Sequence, residues 1–122
     1  MKPVVIVGAG PAGISAARTL LDHGMQACLV DESLRGGGQI YRRQPLGFQR
    51  TAKQVYGFEA SKAEAVHRTL DELAPLIDYR PQTLVWNAED SRLDMLNNGR
   101  AESVEYSRII VATGATDRIL PV

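Results

Sequence analysis

The 122-residue sequence has one cysteine, Cys28, and no excess of charge of either sign, with 14 lysines and arginines against 14 aspartates and glutamates. It also has no uninterrupted apolar run of the roughly 18 residues a membrane-spanning helix needs. Each shortage excludes something. One thiol cannot close an internal disulfide and offers no cysteine-based metal cluster, so a reducing cytoplasm is the expected compartment. A balanced charge argues against a nucleic-acid or membrane-surface binder, which draws on a basic excess. The N-terminus does not read as a signal peptide: Lys2 precedes an apolar stretch, but glycines interrupt it and no clean cleavage site follows. There is no metal-ligand spacing, no nucleophile–base pair, no internal repeat and no low-complexity tract. Metal ligands are therefore not expected, and no catalytic residue is assigned.

What is present is concentrated near the start. Gly8-Ala9-Gly10-Pro11-Ala12-Gly13 follows directly on the apolar run Val4-Val5-Ile6-Val7. A glycine-rich turn between a strand and a helix has a defined mechanical use. Gly8 permits the sharp turn, Gly10 lets a pyrophosphate touch the backbone, and Gly13 lets helix and strand pack closely. The free N–H groups and positive dipole end of the helix then attract phosphate.

The pattern downstream fits a βαβ unit. The spacing predicts a helix from Pro11 to about Leu21, with Ile14, Ala17 and Leu21 on one face and Gly24 closing it. Ala27-Cys28-Leu29-Val30 reads as a buried parallel strand. From Ser33 to about Ala60 periodicity dissolves around Gly36-Gly37-Gly38, Arg42-Arg43, Pro45 and Gly47, and such a long irregular stretch is functional or disordered. Ser61-Lys62-Ala63-Glu64 matches a capping box, followed by a helix with Val66, Leu70, Leu73 and Ile77 on one stripe. Ile77 to Arg80 fits a third short parallel strand. Leu84-Val85-Trp86, Arg92 to Leu96 and Ala101 to Tyr106 form an expected antiparallel meander, with Asn98-Gly99 as the hairpin turn between the last two. Ile109-Ile110-Val111-Ala112 closes the set as another buried strand, stopped by Thr113-Gly114.

Asp31 stands 18 residues beyond Gly13, at the end of the second strand. A carboxylate there can accept hydrogen bonds from both ribose hydroxyls of an adenosine, and it repels a 2′-phosphate, which disfavours NADP. Glu32 could take the same role with a register shift of one residue. FAD and NAD remain equally compatible with these features.

Gly37-Gly38-Gln39 and the late Ala112-Thr113-Gly114 resolve that choice by resemblance. With the glycine turn, the acid and the meander, the whole chain resembles the FAD-binding part of the pyridine nucleotide-disulfide oxidoreductase superfamily, the glutathione/thioredoxin reductase-like flavoproteins. Asp31-Glu32 followed by Gly37-Gly38-Gln39-Ile40-Tyr41-Arg42, Tyr79-Arg80-Pro81 to Val85-Trp86, and Gly114-Ala115-Thr116 to Arg118 and Pro121 are similar to the large subunits of two-component amine and opine oxidoreductases. These include octopine and nopaline oxidases, hydrogen cyanide synthase and hydroxyproline dehydrogenase.

The resemblance implies an α/β fold, a Rossmann-like doubly wound parallel sheet with a small β-meander, as an incomplete FAD-binding domain over residues 1–122. It implies that Gly8, Gly10, Pro11, Ala12 and Gly13 hold the pyrophosphate and Asp31 the ribose. Gly38 and Gln39 would lie near the ribityl or flavin side, the Val85 backbone would meet the adenine edge, and Ala112, Thr113 and Gly114 would close over the cofactor. It further implies oxidation of a C–N bond in an amino acid or opine-like amine by hydride transfer to flavin. The implied partners are a second flavoprotein subunit, together with an iron–sulfur subunit.

Family members continue into a second nucleotide domain and return to a strand ending in Gly-Asp. The expectation is therefore a domain truncated at its C-terminus, inactive alone and prone to self-association through an open sheet edge. The rival readings are the FAD segment of a nicotinamide-dependent flavin reductase, a NAD-binding module, and a non-catalytic nucleotide-binding or interaction module. Dithiol relay chemistry is excluded by the lone Cys28, expected to be an inert core residue. Arg42, Arg43, Arg50 and Lys53 are expected to be solvated loop charges, Tyr41 either a flavin-stacking or a loop-anchoring residue, His67 a satisfied surface histidine, and Trp86 to pack under the meander.

Overall fold

The structure, a computed structural model, describes residues 2–33, 36–38, 43 and 51–114. The elements run β1 (Val4–Val7), α1 (Pro11–Asp22), β2 (Ala27–Val30), α2 (Ala52–Tyr56), α3 (Ala60–Leu73), β3 (Asp78–Arg80), β4 (Thr83–Glu89), β5 (Arg92–Asn97), β6 (Arg100–Glu105) and β7 (Arg108–Val111). Two short 3₁₀ turns, Gly57–Glu59 and Ala74–Leu76, flank α3. A four-stranded sheet has the order β3-β2-β1-β7, and every pairing in it is parallel. β4, β5 and β6 form a separate antiparallel sheet.

The two-residue side-chain period of the strands builds three layers. Ile6 and Leu29 point to the helical side and pack with Ile14 and Ala17 of α1 and Leu70 and Leu73 of α3. Val5, Cys28 and Val30 point the other way and pack on Leu93 and Met95 of the meander. β1 and β2 are covered on both faces, which is why both read as continuous apolar runs. α1 begins with proline at its first position, where the missing N–H loses nothing. It ends at His23, whose ring nitrogen Nδ1 lies 2.8 Å from the Thr19 carbonyl, and Gly24 then takes a left-handed φ of +71°.

The meander is tied down where it meets the parallel sheet. The Thr83 N–H donates to the Asp31 carbonyl at 2.9 Å and the Gln82 N–H to the Ser33 carbonyl at 2.9 Å. Arg80 on β3 reaches both Asp78 at 3.0 Å and Glu102 of β6 at 3.4 Å. The outer face of the meander carries a satisfied polar cluster. Asp94 accepts from Asn87, Ser103 and Arg92, and those hydrogen bonds hold its carboxyl below the usual carboxylate range.

Several expectations need correction. The capping box lies at Thr51, not Ser61: the Thr51 hydroxyl accepts from the Gln54 N–H while the Gln54 side chain accepts from the Thr51 N–H. Ser61 is inside α3, because that helix continues from the 3₁₀ turn and has no free N-terminus to cap. α2 is thus a helix within the stretch expected to be irregular. Trp86 is 59% exposed, since Val85 and the inward residues of β5 already fill the space beneath the meander and the register shifts between Val85 and Asn87. A second hairpin turn, Asp90-Ser91, carries φ angles of +52° and +60° without the glycine that marks Asn98-Gly99. β7 ends at Val111, so Ala112 follows the strand, although its N–H still donates to the Val7 carbonyl at 2.8 Å.

Candidate cofactor site

β1 lies between β2, the next parallel strand in the sequence, and β7, so the strand order reverses beside β1. In an open parallel sheet a crevice forms at that switch point. Here a cleft of about 260 Å³ opens there, lined by Val7, Gly8, Val30, Asp31, Glu32, Thr83, Leu84, Val85 and Thr113.

The floor of the cleft is made by the glycine turn. Gly8 has φ +111°, and a Cβ there would stand 2.1 Å from the Ala112 carbonyl oxygen. A Cβ on Gly13 would stand 1.7 Å from the Gly8 carbonyl oxygen, so α1 sits on the turn with no room for a methyl group. Gly10 precedes α1 in an extended conformation, no side chain caps the helix start, and no acidic residue lies in its first turn. The N-terminal N–H groups and dipole of α1 are therefore left for an anion.

The Asp31 carboxylate is aimed at this turn and accepts from the Ala9 N–H at 3.4 Å. Its backbone is fixed on both sides, through its N–H to the Arg80 carbonyl at 3.0 Å and its carbonyl to the Thr83 N–H at 2.9 Å. Glu32 lines the same cleft but is exposed. Val85 and Leu84 make the apolar wall on the meander side. Thr83, buried beneath them, donates its hydroxyl to the Pro81 carbonyl at 2.9 Å and accepts from the Asn97 amide at 3.3 Å.

A second glycine segment lies on the far side of the turn. The Gly37 N–H donates to the Ala9 carbonyl at 2.8 Å, and a Cβ on Gly38 would stand 2.9 Å from the Gly10 Cα. Gly36 is wedged against Leu70 of α3, and its backbone lies near the Tyr79 hydroxyl. Burial, and then the nearby Asp31 charge, push that hydroxyl above its ordinary pKa. Arg43 is not a solvated charge: its side chain is 14% exposed and forms a two-pronged pair with Asp71, at 2.8 Å from each guanidinium nitrogen.

Of the residues singled out from the sequence, the structure brings Gly8, Asp31, Glu32, Val85 and Thr113 into one cleft. Gly10 and Pro11 lie against Gly38 and do not line the cleft, Gly13 is buried under the turn, and Ala112 abuts Gly8. Ala12 and Gly114 are exposed. Gln39, Tyr41, Arg42 and Arg50 lie outside the described residues. His67 is half-buried with its ring edge-on to Tyr56, and Lys53 is exposed. Val7, Val30, Thr83 and Leu84 join the lining without having been singled out from the sequence. The first two are legible as the last residues of parallel strands, whereas Thr83 has no sequence signal.

The cradle fits FAD. Closely approached backbone and an uncapped helix start suit a pyrophosphate, a fixed carboxylate suits the ribose diol, and Val85 and Leu84 suit the adenine face. Among the described residues no group of histidine, cysteine and acidic side chains could hold a metal ion, and no helix is long and apolar enough to cross a membrane.

The chain is similar in sequence and fold to known proteins. The chain is 34% identical over 129 aligned residues to an opine oxidase subunit of Rhizobium meliloti, covering 98% of this chain and 24% of that protein. It is 35% identical over 122 residues to the hydrogen cyanide synthase subunit HcnB of Pseudomonas aeruginosa, covering 99% and 26%. The chain thus spans about a quarter of the length of these curated relatives. In fold it matches L-proline dehydrogenase from P. horikoshii, with a TM-score of 0.73 at 21% identity over 98% of this chain and 24% of that one. T. acidophilum thioredoxin reductase gives 0.64 at 25% identity over 98% and 37%. The model of the pyridine nucleotide-disulphide oxidoreductase family matches residues 2–122, and the chain belongs to that family.

Proposed function

We propose that this chain is the first part of an FAD-binding domain, and that the protein it serves oxidises a C–N bond in an amino acid or opine-like amine. The observation that carries the nucleotide assignment is the cleft at the carboxyl ends of β1 and β2, with Gly8, Asp31 and Val85 on its walls and the uncapped start of α1 beside it. In this reading Gly8, Gly10 and the first turn of α1 bind the pyrophosphate, with Pro11, Ala12 and Gly13 setting its geometry. Asp31 takes the ribose hydroxyls, with Glu32 at the rim. The Val85 backbone meets the adenine edge, and Ala112, Thr113 and Gly114 close the opposite side. Gly38 lies toward the part of the cofactor beyond the phosphates, a role that the sequence resemblance extends to Gln39. When bound, the flavin supplies two-electron redox chemistry, and the chain's own residues bind, orient and fix its nucleotide half.

The substrate class draws its support from the relatives that are named as opine oxidase and hydrogen cyanide synthase subunits, and from the fold match to L-proline dehydrogenase. The same names favour work within an assembly of several subunits, in which further flavin and iron–sulfur proteins would carry electrons away. Titration of the chain with FAD, AMP and NAD under one set of conditions tests the cofactor. FAD and AMP are expected to bind, with FAD tighter than NAD; preference for NAD would overturn the flavin assignment.

A further inference from the structure

The meander-side wall of the cleft hangs on one buried residue. Thr83 is 1% exposed, yet it lines the cleft. Its N–H donates to the Asp31 carbonyl at 2.9 Å, its hydroxyl donates to the Pro81 carbonyl at 2.9 Å, and the same hydroxyl accepts from the Asn97 amide at 3.3 Å. Asn97 is the last residue of β5 and stands opposite Thr83 in the sheet. One threonine thus joins the end of β2, which carries Asp31, to both strands of the first hairpin of the meander. Beyond Val85 the pairing of β4 with β5 shifts register, so the regular stretch from Thr83 to Val85 takes its position from the Thr83 end.

That position decides what a base in the cleft meets. Facing residues of an antiparallel pair alternate between those bonded to each other and those whose N–H and C=O groups point away from the partner strand. The Thr83 N–H points away from β5, toward Asp31. Two residues on, the N–H and C=O of Val85 face the same way, along the side of β4 that borders the cleft. A donor beside an acceptor matches the N1 and amino group of adenine. Hypoxanthine carries an N–H and a carbonyl there, which set donor against donor and acceptor against acceptor. We propose that Thr83, held by Asn97, fixes the peptide groups of Val85 relative to the Asp31 end of β2, and so makes the site select adenine over hypoxanthine nucleotides. The inference rests on the nucleotide reading of the cleft. Thr83 and Asn97 are positioning residues in it, since the Thr83 hydroxyl is engaged with protein as donor and as acceptor.

The test compares calorimetric affinities for AMP and inosine monophosphate in the parent chain and in Thr83→Val, Thr83→Ser and Asn97→Ala. The parent is expected to bind AMP at least about tenfold tighter, because the inosine base leaves the Val85 groups unpaired. Thr83→Val keeps the shape and loses the hydroxyl, and it is expected to narrow that ratio at least about threefold through weaker AMP binding. Asn97→Ala should narrow it in the same sense, and Thr83→Ser should keep it. The two ligands share ribose and phosphate, so a loss of stability alone moves both affinities together and leaves the ratio intact. An unchanged ratio in either Thr83→Val or Asn97→Ala would overturn the inference, and so would a collapsed ratio in Thr83→Ser. If far-UV circular dichroism shows Thr83→Val unfolded, Asn97→Ala decides: a narrowed ratio supports the inference and a kept ratio overturns it. A parent that binds both ligands equally also overturns it, although the nucleotide reading survives that result. A parent that binds neither removes both.

Discussion

The seating of α1 on the glycine turn gives the sharpest perturbation. In Gly13→Ala the new Cβ would lie 1.7 Å from the Gly8 carbonyl oxygen and 2.9 Å from its carbon. The obstacle is backbone of the turn itself, so no side chain can swing aside. Relief requires α1 to rise from β1 by more than 1 Å, which opens the contacts of Ile14 and Ala17 with Ile6 and Leu29. Overpacking of this kind costs about 3 kcal/mol at the upper end of its usual range. Alanine returns about 1 kcal/mol of helix propensity, leaving a net loss of about 2 kcal/mol. For a domain of this size that lowers the melting temperature by about 8 °C. Gly24→Ala is the control. Unlike Gly13 it has a left-handed φ, of +71°, but its Cβ would enter open space. Its cost is about 1 kcal/mol of backbone strain with no change in the site. Thermal melts followed by circular dichroism, with AMP affinity from calorimetry, separate the two. Gly13→Ala should lose both stability and AMP binding, and Gly24→Ala a little stability only. A Gly13→Ala protein as stable as Gly24→Ala, with AMP affinity intact, would refute the close seating of helix on turn.

Asp31→Asn should weaken FAD and AMP by at least about tenfold, the cost of exchanging charge-assisted ribose hydrogen bonds for neutral ones, and calorimetry reads both; equal affinity would remove the ribose role. Burial, followed by the charge of Asp78, pushes the Cys28 thiol up to about 12. Between about pH 9 and 12 the unfolded chain therefore releases a proton that the folded chain keeps, and stability falls as pH rises. The melting temperature of the parent should drop more steeply from pH 9 to 10.5 than that of Cys28→Ala, and parallel slopes would contradict the buried neutral thiol. In the native chain Cys28 should also resist a thiol reagent at pH 8 until the protein is unfolded, whereas prompt labelling would show the β2 face to be open.

The parts of the fold that were legible in the sequence are those fixed by local periodicity and by glycine. Val4–Val7 and Ala27–Val30 declare themselves because both faces are covered, and Pro11 and Gly24 mark the ends of α1 by what their backbones permit. What stayed hidden depends on contacts between distant segments. α2 is only five residues long and has too few turns for an apolar stripe to show. The exposure of Trp86 follows from an irregularity in pairing that the residues of β4 alone do not encode. Within the site, the glycines and Asp31 follow a known spacing. Thr83 and Arg43 matter through Asn97 and Asp71, which are 14 and 28 residues away.

A map of backbone amide shifts on addition of AMP to the isotopically labelled chain is the decisive check on where the nucleotide binds. The largest changes are expected at Ala9, Gly10, Ala12, Gly13, Asp31 and Thr113, around the carboxyl ends of β1 and β2, with FAD extending them to Gly36–Gly38. Changes centred on the far end of the meander, around Asn98-Gly99, or no changes at saturating nucleotide, would contradict the assignment of that crevice to an adenine dinucleotide.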